Sequence, residues 1–383
     1  MSKLKKITLG DISNNFNNIR VPLSAEEREA LAKNYRYYGA QGIIDHVETY
    51  LFDGEYILVA EDGENLKSQK NNICNLVNGK FWVNNHAHII NAAGDNSTKY
   101  LYYKLNLINF KNYTTGSAQP KLTKDNLKSI ILHIHEEGEQ KIIADLLSTL
   151  DEKIDCNNQI NTELESITKL LYDYWFVQFD FPNTDGKPYK FSGGDMIYSD
   201  VIKREIPAGW TVTKLGEYAD VTKGDLITAK NALDGEIKVV AAGIDYSYKH
   251  RIFNRPENTI TISGSGANAG FINFWREPIF ASDCITVRGN TDCDTILLLQ
   301  YLRMIQPFIF SQATGSAQPH VYPSDIKNLN YVIADNKLIE KFEELVIPIN
   351  YRLTKNTKEN ELLTELRDWL LPMLMNGQVT VSD

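Results

Sequence analysis

Two long stretches of the chain carry apolar residues at steps of three and four, which is the spacing of an amphipathic helix. The first covers residues 136–176 and the second residues 336–377. Each has an asparagine in the middle of its apolar seam, which is typical of a coiled coil whose register is set by a buried polar residue. A long amphipathic helix lying on a domain is the alternative. The seam residues are Leu147, Leu150, Ile154, Asn157 and Leu164 in the first helix, and Val346, Ile349, Leu353, Asn356 and Leu363 in the second.

A direct repeat organises the chain. The hexapeptide Thr115–Pro120, with the sequence TGSAQP, recurs unchanged at Thr314–Pro319, 199 residues downstream. The helices follow the hexapeptides at the same offset, so that Asn157 aligns with Asn356. Upstream of the hexapeptides the halves match loosely and differ in polar residues and loop length. The repeat predicts two copies of one structural unit, and both two readers of different targets and plain divergence after duplication remain open.

Each half begins with a region of strands and turns. Residues Tyr56–Ala60 and Thr259–Ser263 have the β-branched and aromatic content of strands, and a turn follows each. A linker is predicted at 182–200, where proline, glycine and asparagine are frequent. In the second helix Pro348 should produce a kink and Pro372 should mark the end. The predicted fold is α+β: two mixed α/β domains, each followed by a long helix, related by an internal pseudo-two-fold repeat.

The charge distribution leaves a nucleic-acid partner possible. The formal net charge of the 383 residues is −9, but most of the excess acid lies in the two helical segments, and the strand-rich regions are close to neutral. No run of 18 apolar residues is present, so a membrane span is not expected. The four cysteines are scattered, which argues against a zinc site and suits a reducing compartment. We therefore expect a cytoplasmic protein.

Sequence motifs of catalysis are missing. There is no GxxxxGK[ST] phosphate loop, and no Asn-Pro-Pro-Tyr/Phe tetrapeptide of an amino-methyltransferase. The glycine-rich segment 264–270 follows a strand, but another strand pattern comes after it, which predicts a hairpin rather than a dinucleotide loop. His86 and His88, and also His133 and His135, stand two residues apart without a further ligand at a suitable spacing, so no metal site is expected.

Polar loops with cations are the candidates for nucleic-acid contact. Lysine and arginine suit phosphates and guanine, while asparagine and glutamine suit adenine. One such loop is 67–72, and the run 246–251 mixes aromatic residues with cations, as do the residues around Arg36. Solvated surface loops are the alternative for any one of these stretches. The candidates are Arg36, Tyr38, Lys67, Gln69, Lys70, Asn71, Lys249, His250, Arg251 and Asn268.

The whole pattern resembles the specificity subunit of type I DNA restriction–modification systems. The resemblance is carried by the duplicated TGSAQP, by Glu139-Gln140 before the first long helix, by Ile206–Trp210 at the start of the second half, and by Leu-Gly-Asp/Glu near each start. It covers essentially the whole chain. One departure is Lys337-Leu338-Ile339 in the second copy, where the first has Glu-Gln.

The resemblance implies an architecture and a set of partners. Target-recognition domains at 1–135 and 201–335 would each read one half of a split, asymmetric site in double-stranded DNA. The helices at 136–181 and 336–377, with the linker 182–200 between the halves, would pack antiparallel, separate the domains and set the gap between the half-sites. Two modification (methyltransferase) subunits would dock on the helices, and restriction subunits would join them. S-adenosylmethionine, ATP and magnesium would be bound by those partners, and this chain would bind no cofactor and catalyse nothing.

Two other functions stay open at this point. The chain would fit the specificity subunit of a type II restriction enzyme that cuts near its site. A protein of a different class, a coiled-coil scaffold with two β-rich protein-binding modules, would also fit.

Overall fold

A computed structural model describes residues 4–116, 120–312 and 319–381. The repeated hexapeptides therefore lie largely outside the described residues. The chain forms two compact units, Met1–Cys156 with Glu359–Asp383, and Asn157–Lys358. We call them unit 1 and unit 2. Each long helix thus contributes one segment to each unit.

Unit 1 contains two four-stranded sheets and a two-stranded one. Its strands are β1 (Lys5–Thr8), β2 (Ser13–Asn15), β3 (Tyr35–Gly39), β4 (Gly42–Val47), β5 (Phe52–Asp53), β6 (Tyr56–Ala60), β7 (Cys74–Val77), β8 (Lys80–Val83), β9 (Ala87–Ala92) and β10 (Ile131–Ile134). Its helices are α1 (Leu9–Ile12), α2 (Ala25–Glu29), α3 (Asn65–Ser68), α4 (Thr98–Asn106), α5 (Lys124–Lys128) and part of α6 (Glu137–Tyr172). The strand orders are β2-β9-β6-β7, β4-β3-β8-β5 and β1-β10.

Unit 2 repeats this arrangement with small changes. Its strands are β11 (Met196–Ser199), β12 (Arg204–Pro207), β13 (Thr211–Lys214), β14 (Asp220–Lys223), β15 (Ile237–Val240), β16 (Tyr246–His250), β17 (Thr259–Ser263), β18 (Ile272–Trp275), β19 (Phe280–Ala281), β20 (Cys284–Arg288) and β21 (Asn330–Ile333). Its helices are α7 (Leu215–Tyr218), α8 (Asp292–Gln312), α9 (Pro323–Lys327) and part of α10 (Asn336–Met375). The sheets have the orders β14-β20-β17-β18, β16-β15-β19, β13-β21 and β11-β12.

The repeat extends to details of the strand pairing. β3 and β15 each pair antiparallel with the next strand and show a register shift, after Tyr37 and after Val239 respectively. Each also pairs parallel with a strand that comes later in its unit, β8 or β19. The loose similarity seen upstream of the hexapeptides therefore reflects one common scaffold.

The predicted strands form the centre of the main sheets. β6 is buried from Ile57 to Ala60, and all five residues of β17 are buried. The segment 264–270 joins β17 to its antiparallel neighbour β18, so the predicted hairpin is confirmed. The short strand β11 lies in the segment for which the sequence predicts a linker.

In each unit the segments of the two long helices run antiparallel. In unit 1 Arg367 contacts Asp151 at 2.7 Å, and Lys153 lies 3.5 Å from Glu359. In unit 2 Asn356 Nδ2 donates to Asn161 Oδ1 at 2.8 Å, and the rings of Trp175 and Phe342 lie 5.8 Å apart. The buried seam residues are Leu147, Asn157, Val346, Leu353 and Asn356, and the other five are half-buried. The predicted α+β class with an internal repeat and two long helices is confirmed.

The prediction that Pro372 marks the end of the second helix is wrong. The helix α10 continues through Pro348 and through Pro372 to Met375. A proline removes one backbone N–H donor, but packing can outweigh that loss. Leu374 and Met375 are fully buried in the core of unit 1, which holds the last turn in place. The first helix, α6, ends at Tyr172 and is followed by a π-helical turn at Asp173–Val177, which lies near the predicted helix end at residue 176.

Candidate nucleic-acid interface

The helix α3, the loop after it and a neighbouring 3₁₀ turn of unit 1 carry three exposed lysines. The side chain of the buried Asn65 in α3 accepts a bond from Asn71 N and donates one to Asn71 O, both at 3.0 Å. The helix α3 packs against the 3₁₀ turn Phe110–Tyr113, which carries the exposed Lys111. Lys67 and Lys70 are also exposed. We call Lys67, Lys70 and Lys111 the lysine patch.

The lysine patch carries uncompensated positive charge. Within the described ranges, none of its three ammonium groups forms an ion pair with a carboxylate. The loop backbone is fixed, because Gln69 adopts a left-handed conformation with φ 48° and its amide donates to Ile108 O at 3.1 Å. The lysine patch therefore offers cations of the kind that contact phosphates. Gln69 supports the loop from inside, whereas Asn71 is exposed.

The aromatic run in β3 is mostly core. Tyr38 is buried among Phe52, Phe81 and Val83, and burial raises the pKa of its phenol. Arg36 is half-buried, donates to Asn78 O at 2.8 Å, and lies over the Tyr38 ring at 5.8 Å. Of this pair, only Arg36 has atoms that reach solvent to an appreciable extent.

The candidates of unit 2 have other environments. Lys249 forms an ion pair with Glu236, so its charge is balanced locally. His250 is buried, and its Nδ1 accepts a bond from Leu233 N at 2.9 Å while its ring meets Phe280 edge-on. Arg251 is exposed and donates to Asp234 O at 3.1 Å. Asn268 is exposed in the loop between β17 and β18.

The histidine pairs hold backbone and side-chain partners. The buried His88 lies 2.8 Å from Leu122 O through Nε2 and 2.7 Å from the Asn17 amide through Nδ1, and burial lowers its pKa. The buried His135 contacts Tyr100 Oη at 2.8 Å. No group of three or more His, Cys, Asp or Glu in the described part of the chain is arranged to hold a metal ion.

The long helices also carry exposed apolar side chains at matching places. On α10, Leu366 is 43% exposed and Trp369 is 58% exposed. On α6, Ile167 is 44% exposed and Leu170 is 67% exposed. The offset from Ile167 to Leu366, and from Leu170 to Trp369, is that of the hexapeptide repeat. Each unit therefore presents one pair of exposed apolar residues at an equivalent position, and we call these the two apolar pairs.

Comparison with known proteins decides the family. The model of the type I restriction modification DNA specificity domain matches residues 1–166 and 207–333, one region in each half of the chain.

The chain belongs to the type I restriction–modification DNA specificity family. The resemblance read from the repeat is thereby confirmed, and the coiled-coil scaffold alternative is set aside.

Relatives and a solved structure agree with this membership. The MjaIX specificity subunit of Methanocaldococcus jannaschii is 24% identical over 311 residues, covering 75% of this chain and 70% of the relative. The HindI specificity subunit of Haemophilus influenzae is 22% identical over 334 residues, covering 68% and 71%. The crystal structure of a type I system S subunit from M. genitalium has a TM-score of 0.66 at 17% identity, covering 97% of this chain and 96% of that one. This last similarity concerns the fold.

Membership places the specificity function on this chain. Type I specificity subunits are the part of the complex that recognises DNA, and the lysine patch lies in the first of the two matched regions. In the described residues, no helix is both long enough and apolar enough to span a membrane.

Proposed function

We propose that this specificity subunit reads a split, asymmetric DNA target with its two strand-rich regions and holds two modification subunits through its long helices. It catalyses no step itself. S-adenosylmethionine, ATP and magnesium belong to the modification and restriction subunits, and methylation and cleavage take place there. The cytoplasm, where the target DNA lies, is the proposed location.

The two apolar pairs are the main support for this proposal. Exposed large apolar residues in a helix that is already packed on one face favour a partner on the other face. Ile167 with Leu170 and Leu366 with Trp369 occupy equivalent positions of a repeat, so one kind of partner finds the same surface twice. Two equivalent surfaces support two copies of one subunit rather than two different partners.

The lysine patch supports the DNA side of the proposal. The chain as a whole is acidic, so phosphate attraction has to come from local clusters of cations. The three lysines of the patch, none of which forms an ion pair in the described residues, supply such a cluster in unit 1.

A stoichiometry experiment tests the docking. Trp369→Ala and Leu170→Ala would each be mixed with modification subunit, and the mass of the complex would be measured by sedimentation. Burying the exposed ~140 Å² of the Trp369 side chain is worth about 3 kcal/mol at most, or roughly a hundredfold in Kd. We expect two modification subunits on the wild-type chain, one on each single variant and none on the double variant.

The matched control is Tyr198→Ala, since Tyr198 is 60% exposed but lies in β11, outside the long helices. It should retain two modification subunits. Single variants that also retain two, at concentrations near the wild-type Kd, would refute the docking surface. Sequencing the methylated adenines made by the complex tests the reading of DNA, because a split motif is expected and an uninterrupted motif would contradict it.

A further inference from the structure

One arginine connects the strand-rich part of unit 2 to both long helices. Arg276 follows β18, and its side chain is 17% exposed. Its Nη2 lies 3.2 Å from Glu165 Oε1 on α6, and its Nε donates to Asn350 Oδ1 on α10 at 3.0 Å. A single guanidinium group therefore contacts both helices.

Asn350 also holds the other end of the same hairpin. The side chain of the buried Asn350 donates from Nδ2 to Asn258 Oδ1 at 3.1 Å. Asn258 directly precedes β17, has φ 56°, and donates in turn to Asp292 Oδ2 at 2.9 Å. Asn258 precedes β17 and Arg276 follows β18, so Asn350 is hydrogen-bonded to both ends of the β17–β18 hairpin. The loop at the opposite end of this hairpin carries the exposed Asn268.

Unit 1 has a joint at the equivalent position of the repeat. Asp151 on α6 aligns with Asn350 at the offset of 199 residues. Asp151 accepts a bond of 2.5 Å from Tyr103 Oη on α4 and a bond of 2.7 Å from Arg367 on α10. Burial, together with the Asp151 carboxylate, raises the pKa of Tyr103 well above its usual range, so the phenol keeps its proton and donates. In both units this position connects the strand-rich region to the two helices.

The chemistry of these contacts suits them to fixing the orientation of the hairpin more than to stabilising the fold. A planar guanidinium bonded on two sides admits a narrow range of geometries, and a lysine cannot reproduce them. Buried polar pairs add little net stability compared with apolar packing, and their best-attested use is to select one arrangement among several. Such contacts at the base of a hairpin determine the direction in which its far end points.

We infer that Arg276 with Asn350, and Tyr103 with Asp151, are positioning residues that fix the direction of each recognition domain on its helix segments. By fixing that direction they restrict the gap between the two half-sites that the complex accepts. The inference rests on the proposed function, because it presupposes a target in two halves.

The test uses the complete chain assembled with its modification subunits. The substrate is a library of DNA molecules that carry both half-sites, as defined by methylation sequencing of the wild type, with gaps of different lengths. For Arg276→Ala we expect the ratio of methylation at the preferred gap to that at neighbouring gaps to fall roughly tenfold, the size expected for losing charged hydrogen bonds. The bases read in each half-site should stay the same. Tyr103→Phe, which removes one hydroxyl, should lower the ratio in the same direction.

Two further variants separate positioning from folding. Arg276→Lys keeps the positive charge but loses the planar guanidinium group. It should therefore lower the ratio of methylation at the preferred gap to that at neighbouring gaps, even if its melting temperature equals that of the wild type. Lys190→Ala removes an exposed cation from the segment between α6 and β11, away from Arg276, and should leave the ratio unchanged. If Arg276→Ala fails to fold, the same ratio measured for Arg276→Lys and Tyr103→Phe tests the inference.

An unchanged ratio in these variants would overturn the inference. So would an equal loss of methylation at every gap, which is what a merely stabilising role predicts. A wild-type complex that methylates no split motif would instead refute the proposed function, before any variant is compared.

Discussion

Lengthening both long helices should widen the gap between the half-sites. Each helix crosses the boundary between the units, α6 between Cys156 and Asn157 and α10 between Lys358 and Glu359. Four residues inserted at both places add about 6 Å at ~1.5 Å per residue. Four residues are also close to one full turn of ~3.6 residues, so the apolar seams stay nearly in register. Because B-DNA rises ~3.4 Å per base pair, the preferred gap should grow by about two base pairs at most.

The assay is methylation sequencing of the same gap library with the lengthened chain and wild-type modification subunits. The half-site bases should be unchanged, because no residue of either strand-rich region is altered. A four-residue insertion at Asp185–Gly186, in the turn between the end of α6 and β11, is the matched control and should leave the gap unchanged. A change in the bases that are read, with the gap constant, would refute the proposal that the helices set the gap between the half-sites.

Three further predictions concern the lysine patch, a buried amine and the repeat. Lys70→Ala should weaken binding to all DNA sequences alike and lower the slope of log K against log salt by about one, whereas relaxed discrimination at one position would show that Lys70 reads a base. Burial lowers the pKa of Lys104 to about 8, and its Nζ donates to Met375 O at 2.6 Å. The unfolded chain then binds more protons between pH 8 and ~10.4, so this group makes the free energy of unfolding rise with pH across that window, by about 2 kcal/mol. Urea titrations at pH 7.5 and 9.5 should show the rise in the wild type and not in Lys104→Met, and an equal pH dependence of both would count against a depressed pKa. Residues 1–195 lack the α10 segment that completes unit 1 but contain its repeat equivalent, so we expect a two-fold dimer that, with modification subunits, methylates an interrupted inverted repeat of one half-site. A monomer in sedimentation would contradict that expectation.

Much of the architecture follows from patterns along the chain. The steps of three and four predict α6 and α10, and the unchanged hexapeptide with its constant offset predicts two units on one scaffold. Strands β6 and β17 are identified by their β-branched content. Each of these features is local or strictly periodic, so a single sequence contains the whole signal. The resemblance to the family is read from the same repeat.

The candidate interface depended on contacts between distant residues. Tyr38 and His250 resemble surface residues in their local sequence, but they lie in the core, because neighbouring strands cover them. Lys111 joins Lys67 and Lys70 only through the packing of α3 against the turn at Phe110–Tyr113. No spacing along the chain predicts this packing.

Tertiary structure also decides where the helices end and which side chains connect the strand-rich regions to the helices. A proline at position 372 normally indicates the end of a helix, yet the burial of Leu374 and Met375 keeps α10 helical beyond it. Arg276 lies over 70 residues from Asn350 and over 110 from Glu165 in sequence, so nothing in the local pattern relates the three. Periodicity along the chain determines which segments are helices and strands, because it follows from backbone geometry. Which side chains meet depends on how the segments pack, because packing brings together residues that no local pattern relates.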